Sequence, residues 1–113
     1  MREPLRDTER LNHILQAIDN VEEFSSGLQG IESLRRDKIL LHAIVFNIQI
    51  IGEAVYKLSS DFKDKHPDTP WNQIEKMRHI LVHDYYRINL EILWSVIKKD
   101  LPTLKVQVED YLA

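Results

Sequence analysis

The chain has 113 residues, of which 43% are hydrophobic and 29% charged, and its formal net charge is −3. This length supplies one hydrophobic core, so we expect residues 1–113 to form a single domain. The absence of cysteine excludes disulfides, thiolate metal ligands and thiol nucleophiles. The acidic balance argues against a protein that coats nucleic acid non-specifically, because such binding needs many lysine and arginine contacts to phosphate. It does not argue against a local basic site.

The composition favours an all-α protein, because Leu, Ile, Glu, Lys and Arg are frequent and glycine occurs only three times. The first residues carry charges at Arg2, Glu3, Arg6 and Asp7 and offer no apolar core for a signal peptide. No uninterrupted apolar stretch reaches membrane-spanning length. We therefore expect a cytoplasmic protein that makes no membrane contact.

The first segment has apolar residues at three- and four-residue steps, which predicts an amphipathic helix over 8–24. Asp7 or Thr8 is expected to cap this helix. The run 25–27, Ser-Ser-Gly, is expected to end it, with the glycine in a left-handed cap. A short helical turn is predicted over 31–36.

The segment 37–60 is apolar around most of its circumference, which predicts a helix buried at the centre of the fold or by a partner. Asn47, Gln49 and Glu53 interrupt this surface and need hydrogen-bond partners or a wet cleft. Asn47 and Glu53 lie six residues apart, roughly 120° around a helix. They need not share one site.

A polar connector is predicted over 59–69, followed by a third helix over 70–83. Thr69 is a suitable helix cap, and Pro70 suits the first helical position, where its missing N–H costs nothing extra.

A fourth helix is predicted from Asn89, which can cap it. The sequence at 100–102, Asp-Leu-Pro, is expected to break this helix, because proline lacks the N–H donor and clashes with the preceding turn. Residues 102–111 are expected to add a short fifth helix.

The segment 76–86 concentrates chemically active side chains where the third helix should stop; they include Arg78, His79, His83, Asp84 and Tyr85. Within one continuous helix, Arg78 and His83 would point roughly 140° apart. A shared site therefore requires either that the chain unwinds at His83 or that a second copy supplies the complementary residue across a two-fold axis.

Arginine presents a rigid cationic fork that suits phosphate oxygens, and histidine titrates near neutral pH. Arg78 and His83 could therefore hold a phosphodiester and move a proton, as cleavage of RNA by its own 2′-OH requires. This chemistry needs no metal and no cofactor. The spacing alone also fits two surface residues, because short motifs often occur by chance. Tyr85 falls beyond the predicted helix, where its hydroxyl could contact substrate or accept a modifying group.

A metal site is the other interpretation of this segment. His79 and His83 are four residues apart, as metal ligands often are, and Asp84 could be a third ligand. The HExxH pattern is absent and nothing fixes a fourth ligand, so we predict no metal site.

The pattern Arg78-x-x-x-x-His83-x-Tyr85 resembles the signature of the HepT-like branch of the HEPN superfamily. Further matching blocks occur in the same order along the chain: 10–15 (RLNHIL), 47–54 (NIQIIGEA), 70–71 (PW) and 100–102 (DLP). The likeness covers nearly the whole chain.

The resemblance implies an antiparallel bundle of four to five helices that pairs as a homodimer, with the motifs of both subunits facing a shared cleft. It also implies the toxin of a HEPN/MNT toxin–antitoxin system, an endoribonuclease that cleaves RNA without metal. Arg78 and His83 would be the catalytic pair. Tyr85 would receive AMP from a partner nucleotidyltransferase of the MNT type, and the added bulk and negative charge would keep RNA out.

Four residues are candidates for supporting roles: His79, Asp84, Asn47 and Glu53. His79 departs from the family pattern, because such proteins often have asparagine after the motif arginine. A second imidazole could assist proton transfer or replace a hydrogen bond. Asn47 and Glu53 match family blocks and could instead orient the motif or hold helices together.

RNA is expected to bind in a restricted basic cleft formed by Lys76, Arg78, His79 and Arg87. The affinity for RNA should depend only modestly on salt concentration, because few phosphates are contacted. Two other functions fit the same fold. One is a non-catalytic dimeric binding module that partners or regulates a nucleotidyltransferase. The other is a helical oligomerisation domain, which the apolar segment 37–60 would support.

Overall fold

Helices account for most of the chain, as its composition predicts, and the computed structural model describes residues 4–84 and 87–113. The helices are α1 (Pro4–Ser25), α2 (Ile31–Arg36), α3 (Lys38–Lys57), α4 (Ser60–Lys65), α5 (Trp71–Glu75), α6 (Met77–Leu81), α7 (Leu90–Ser95) and α8 (Leu101–Leu112). Within the described residues, two short strands, β1 (Val82–Asp84) and β2 (Arg87–Ile88), pair antiparallel between α6 and α7. The all-α class is confirmed, with this strand pair added.

The core forms where α1 packs mainly against α3, while α3 also contacts α5 and α6 and α1 contacts α8. Its fully buried side chains include Ile14 and Ile18 of α1 and Ile44, Ile48 and Ile51 of α3. Of the two predicted ways to bury α3, the fold itself supplies burial for one side of the helix, while Ile39 and Phe46 remain exposed. Length and composition alone would let α3 cross a membrane, a test that the core helices of soluble proteins also pass.

An ion-pair cluster joins α8 to α1. The Lys105 ammonium donates to Glu22 Oε1 at 2.7 Å and lies 3.2 Å from Asp19 Oδ1. These two carboxylates raise the pKa of Lys105 above its usual value, with the hydrogen bond to Glu22 as the larger cause. The lysine therefore keeps its charge throughout the neutral pH range.

The start of α1 differs from the prediction, because the helix begins at Pro4 and Asp7 lies inside it. The Asp7 carboxylate accepts hydrogen bonds from the Ser59 N–H at 2.8 Å and from the Ser59 hydroxyl at 2.6 Å. Ser59 in turn caps α4 by accepting a hydrogen bond from the Phe62 N–H. The prediction of Asp7 or Thr8 as the cap of α1 is therefore wrong. The predicted connector over 59–69 contains the short helix α4.

Replacing Asp7 with alanine is expected to lower the free energy of unfolding by about 1–3 kcal/mol, because the Ser59 donors would lose their acceptor in a buried place. Asp7 is only 7% exposed. Urea denaturation measures the change, and Glu9→Ala, at an exposed position of the same helix, should stay within about 0.5 kcal/mol of wild type. Equal losses in the two variants would contradict the role given to Asp7.

α1 ends at Ser25, within the predicted run, but no described glycine adopts a left-handed φ, so the left-handed cap predicted for Gly27 is wrong. α3 follows Asp37 as predicted but ends at Lys57 rather than at residue 60.

The third helix also differs from its prediction. A break at Lys76 divides it into α5 and α6, and it ends at Leu81 rather than at residue 83. Thr69 does not cap it, because its hydroxyl donates to Gln107 Oε1 at 2.9 Å and shares a hydrogen bond with the Tyr111 hydroxyl. These bonds anchor the chain before α5 to α8.

Asn89 caps α7 as predicted, accepting a hydrogen bond from the Ile92 N–H at 3.0 Å. The predicted break at 100–102 is wrong, because α7 continues through a π-helical segment, Val96–Asp100, directly into α8. The Leu101 N–H donates to the Val96 carbonyl five residues back. Pro102 then lies in the first turn of α8, where its missing N–H costs little.

Candidate active site

An open cleft of about 620 Å³ lies between α3 and the α5–α6 segment. The α3 wall consists of Gln49, Gly52, Glu53, Tyr56 and Lys57, and the opposite wall of Glu75, Lys76, Arg78, His79 and Ile80. The cleft therefore brings together five residues that the sequence analysis singles out: Gln49, Glu53, Lys76, Arg78 and His79.

Gly52 sets the distance between the two walls. A Cβ atom built on Gly52 would lie 3.1 Å from the Glu75 carbonyl oxygen and 3.7 Å from that of Ile74. The backbone at the end of α5 thus rests directly on α3, just before α6 begins. A side chain at residue 52 would push this backbone outward, and Arg78 and His79 would move with it.

Gly52→Ala is expected to lower the free energy of unfolding by about 1 kcal/mol. Alanine ordinarily stabilises a helix interior by about 1 kcal/mol over glycine, but the strain of overpacking against backbone costs about 1–3 kcal/mol. Urea denaturation measures the net change in the free energy of unfolding. The amide chemical shifts of residues 74–80 should also change. Gly27→Ala is the control, because nothing lies within 4 Å of its added Cβ. A more stable Gly52→Ala variant would contradict the close approach.

The charges of the cleft favour an anion. Lys57, Lys76 and Arg78 are all exposed, and none of them forms an ion pair with another residue of the described part of the chain. The cleft also holds two carboxylates, Glu53 and Glu75, and these leave an excess of one positive charge. The Arg78 guanidinium is therefore available to bind a phosphate.

The backbone leaves the helical conformation immediately before His83. α6 ends at Leu81, whose carbonyl accepts a hydrogen bond from the Asn89 N–H at 2.7 Å, and β1 carries His83 and Asp84. The first of the two expected arrangements, unwinding of the chain at His83, is therefore present in the backbone. Tyr85 lies outside the described residues.

Arg87, which the sequence places in the basic cleft, lies in β2 with its Cα opposite that of Asp84 and is not among the residues that line the cleft. Lys57 lines it instead. Sequence reasoning missed Lys57, although its spacing of four residues from Glu53 places both on one face of α3.

Asn47 lies apart from this cleft. It is buried, accepts a hydrogen bond from Asn20 Nδ2 at 3.0 Å and donates to the Ala43 carbonyl at 2.8 Å. It borders a separate pocket of about 240 Å³ on the α1 side of α3. Its observed contacts hold α1 and α3 together.

The fold and the cleft define a small helical protein in which Arg78, the first residue of an Arg-x4-His-x-Tyr sequence motif, lines an open cleft. Residues 14–111 match the family described as Ribonuclease HepT-like. The chain therefore belongs to the HepT-like ribonuclease family of the HEPN superfamily.

Relatives from three organisms support this membership. The chain is 39% identical over 102 residues to a protein of Caldanaerobacter subterraneus subsp. tengcongensis that is provisionally named an RNase, with 90% of each chain covered. It is 36% identical over 99 residues to a probable ribonuclease HepT of Thermococcus cleftensis, covering 88% of this chain and 89% of that one. A provisionally named RNase of Methanocaldococcus jannaschii is 34% identical over 99 residues, covering 88% and 90%. No solved structure gives a significant match.

Proposed function

We propose that the protein is a metal-independent endoribonuclease that uses Arg78 and His83. The observation that carries this proposal is the position of Arg78 on α6. It is exposed in a cleft, has no ion-pair partner among the described residues, and precedes by a few residues the unwound backbone that carries His83. Membership of a ribonuclease family supports the choice of RNA as substrate.

In the proposed reaction, His83 removes the proton of a ribose 2′-OH, and the 2′-oxygen attacks the adjacent phosphorus. The bond from phosphorus to the 5′-oxygen then breaks, which leaves a 2′,3′-cyclic phosphate and a 5′-hydroxyl. Arg78 stabilises the charge on the phosphoryl oxygens. The leaving oxygen takes its proton from water or from a second imidazole, for which His79 in the same cleft is the candidate.

The protein is further proposed to act as a homodimer that pairs through α3. An apolar stripe on this helix, formed by Ile39 and Phe46 with the partly buried Ile50, faces outward, and the first two residues are 86% and 61% exposed. Large exposed apolar residues in a row mark interaction surfaces. Glu53, seven residues after Phe46, continues the stripe into the cleft. Pairing of two copies here would bring their clefts side by side.

We also propose that the protein is the toxin of a HEPN/MNT pair and that a nucleotidyltransferase neutralises it by transferring AMP to Tyr85. Tyr85 follows His83 by two residues in the chain. An adenylyl group there would add negative charge close to the proposed phosphate site, which would repel RNA. Incubation with the partner enzyme and ATP should add one AMP at Tyr85 and abolish cleavage, and Tyr85→Phe should remain unmodified and active.

The test of the proposed activity is incubation of the purified protein with single-stranded RNA in excess EDTA and, in parallel, in magnesium. Mass spectrometry first establishes that Tyr85 is unmodified. We expect equal cleavage rates in both buffers. Inert unmodified protein in both buffers would overturn the proposal in favour of a non-catalytic binding module.

A further inference from the structure

Tyr56 is a large aromatic residue at the edge of the cleft, and 62% of its surface is exposed. It lies in the last turn of α3 on the wall opposite Arg78 and His79, next to Lys57. Aromatic side chains of this size usually bury most of their surface. Such exposure beside a cluster of cations needs a functional explanation.

The proposed dimer surface does not supply that explanation. At 100° per residue, Tyr56 lies roughly 80° around α3 from Phe46. That rotation turns it away from the apolar stripe and towards the α6 side of the helix, which agrees with its place among the cleft residues. Its ring therefore belongs to the cleft rather than to the stripe.

We infer that Tyr56 is a stacking platform for a nucleobase of single-stranded RNA, while the opposite wall holds the phosphate through Arg78. A cleft with an exposed aromatic ring and with Lys57 and Lys76 among its lining residues has the composition of single-strand binding grooves, in which bases stack on aromatic residues and cations follow the backbone. The cleft volume of about 620 Å³ falls within the range on the order of 300–1,000 Å³ that holds small ligands. This inference rests on the proposed function and names its substrate class.

The platform selects single strands because the base faces of an A-form duplex are stacked on one another and cannot reach a protein ring. Stacking depends on the ring and not on the tyrosine hydroxyl. Phenylalanine or tryptophan at position 56 should therefore preserve RNA binding, whereas alanine should weaken it. This pattern separates stacking from a hydrogen-bonding role.

The experiment measures binding of a 2′-O-methyl oligonucleotide, which cannot be cleaved by 2′-OH attack, with 2-aminopurine placed at successive positions. Wild type, Tyr56→Phe and Tyr56→Trp should bind with similar affinity and quench one 2-aminopurine position. Tyr56→Ala should weaken binding by about 5- to 150-fold and abolish the quenching. Binding of the corresponding duplex should be weak in all variants. Val106→Ala, at an apolar position of α8 that is 60% exposed and does not line the cleft, is the matched control.

Three results would overturn the inference and leave the proposed nuclease standing. The first is that Tyr56→Ala binds the oligonucleotide as tightly as wild type while Arg78→Ala loses RNA cleavage. The second is that Tyr56→Phe binds as weakly as Tyr56→Ala. The third is that light scattering finds Tyr56→Ala dissociated into monomers. Wild-type protein that neither binds nor cleaves any RNA would overturn both proposals. Thermal melting monitored by circular dichroism establishes that each variant is folded.

Discussion

Arg78→Ala and His83→Ala are each expected to slow RNA cleavage by about 10²- to 10⁴-fold while the protein stays folded. Removal of a cation that stabilises the transition state costs about 10²- to 10³-fold, and loss of a general base about 10²- to 10⁴-fold. Arg78 is exposed and has no ion-pair partner among the described residues. Its truncation should therefore change stability by less than about 0.5 kcal/mol.

Matched variants sharpen this test. Arg78→Lys keeps the charge but loses the planar fork, so its rate should fall between those of wild type and Arg78→Ala. Arg35→Ala removes an exposed arginine that pairs with Glu32 outside the cleft and should retain full activity. The double variant Arg78→Ala/His83→Ala should cleave RNA hardly more slowly than the slower of the two single variants, because the effects of residues that act as a unit are not additive. An Arg78→Ala protein within threefold of the wild-type rate would remove Arg78 from the mechanism.

Phe46→Asp is expected to convert the proposed dimer into monomers and to lose most of the cleavage activity. Burial of a phenylalanine contributes about 1.5–3 kcal/mol, and two-fold symmetry applies the loss twice. Two carboxylates would also be placed in an apolar contact. The dissociation constant should therefore rise by at least 10²-fold, which sedimentation velocity or light scattering would detect.

Val106→Asp is the control for Phe46→Asp, because Val106 is similarly exposed but lies on α8. It should leave the oligomeric state unchanged. A wild-type protein that is monomeric at micromolar concentration, or a Phe46→Asp protein that remains dimeric, would contradict pairing through α3. A monomeric variant with full activity would show instead that one subunit holds the whole site.

Local signals predict the helices well where the partner groups lie close in sequence. Asn89 caps α7 through the Ile92 N–H three residues away, and the Ser25 and Ser26 hydroxyls donate to carbonyls of the last turns of α1, where the helix ends as predicted. The role of Asp7 could not be predicted in this way, because Ser59 lies 52 residues away. Local propensity indicates a cap but not a distant partner.

Tertiary contacts and an unusual backbone account for the other differences. The break between α5 and α6 lies where the Glu75 carbonyl rests on Gly52 of α3, a packing that the apolar period of 70–83 does not encode. The helix continues past Pro102 because the preceding π-helical segment, Val96–Asp100, has already widened the turn.

The candidate site shows the same limit. Helical periodicity gives the angle between Asn47 and Glu53 around their helix. It does not tell which other helix packs beside each of these residues. The structure places Glu53 in the cleft with Arg78 and places Asn47 against α1. Lys57 was missed because a lysine at the end of a helix has no distinctive pattern until the opposite wall is known.

The most direct test of the central claim is the chemical identity of the RNA ends that the unmodified protein produces in EDTA. Mass spectrometry of the fragments should find 2′,3′-cyclic phosphates and 5′-hydroxyls. A substrate with a single 2′-deoxyribose on the 5′ side of the cleaved bond should stay intact there, because its attacking hydroxyl is missing. Fragments with 5′-phosphates, or cleavage at the 2′-deoxy position, would contradict attack by the 2′-OH and the roles given to Arg78 and His83.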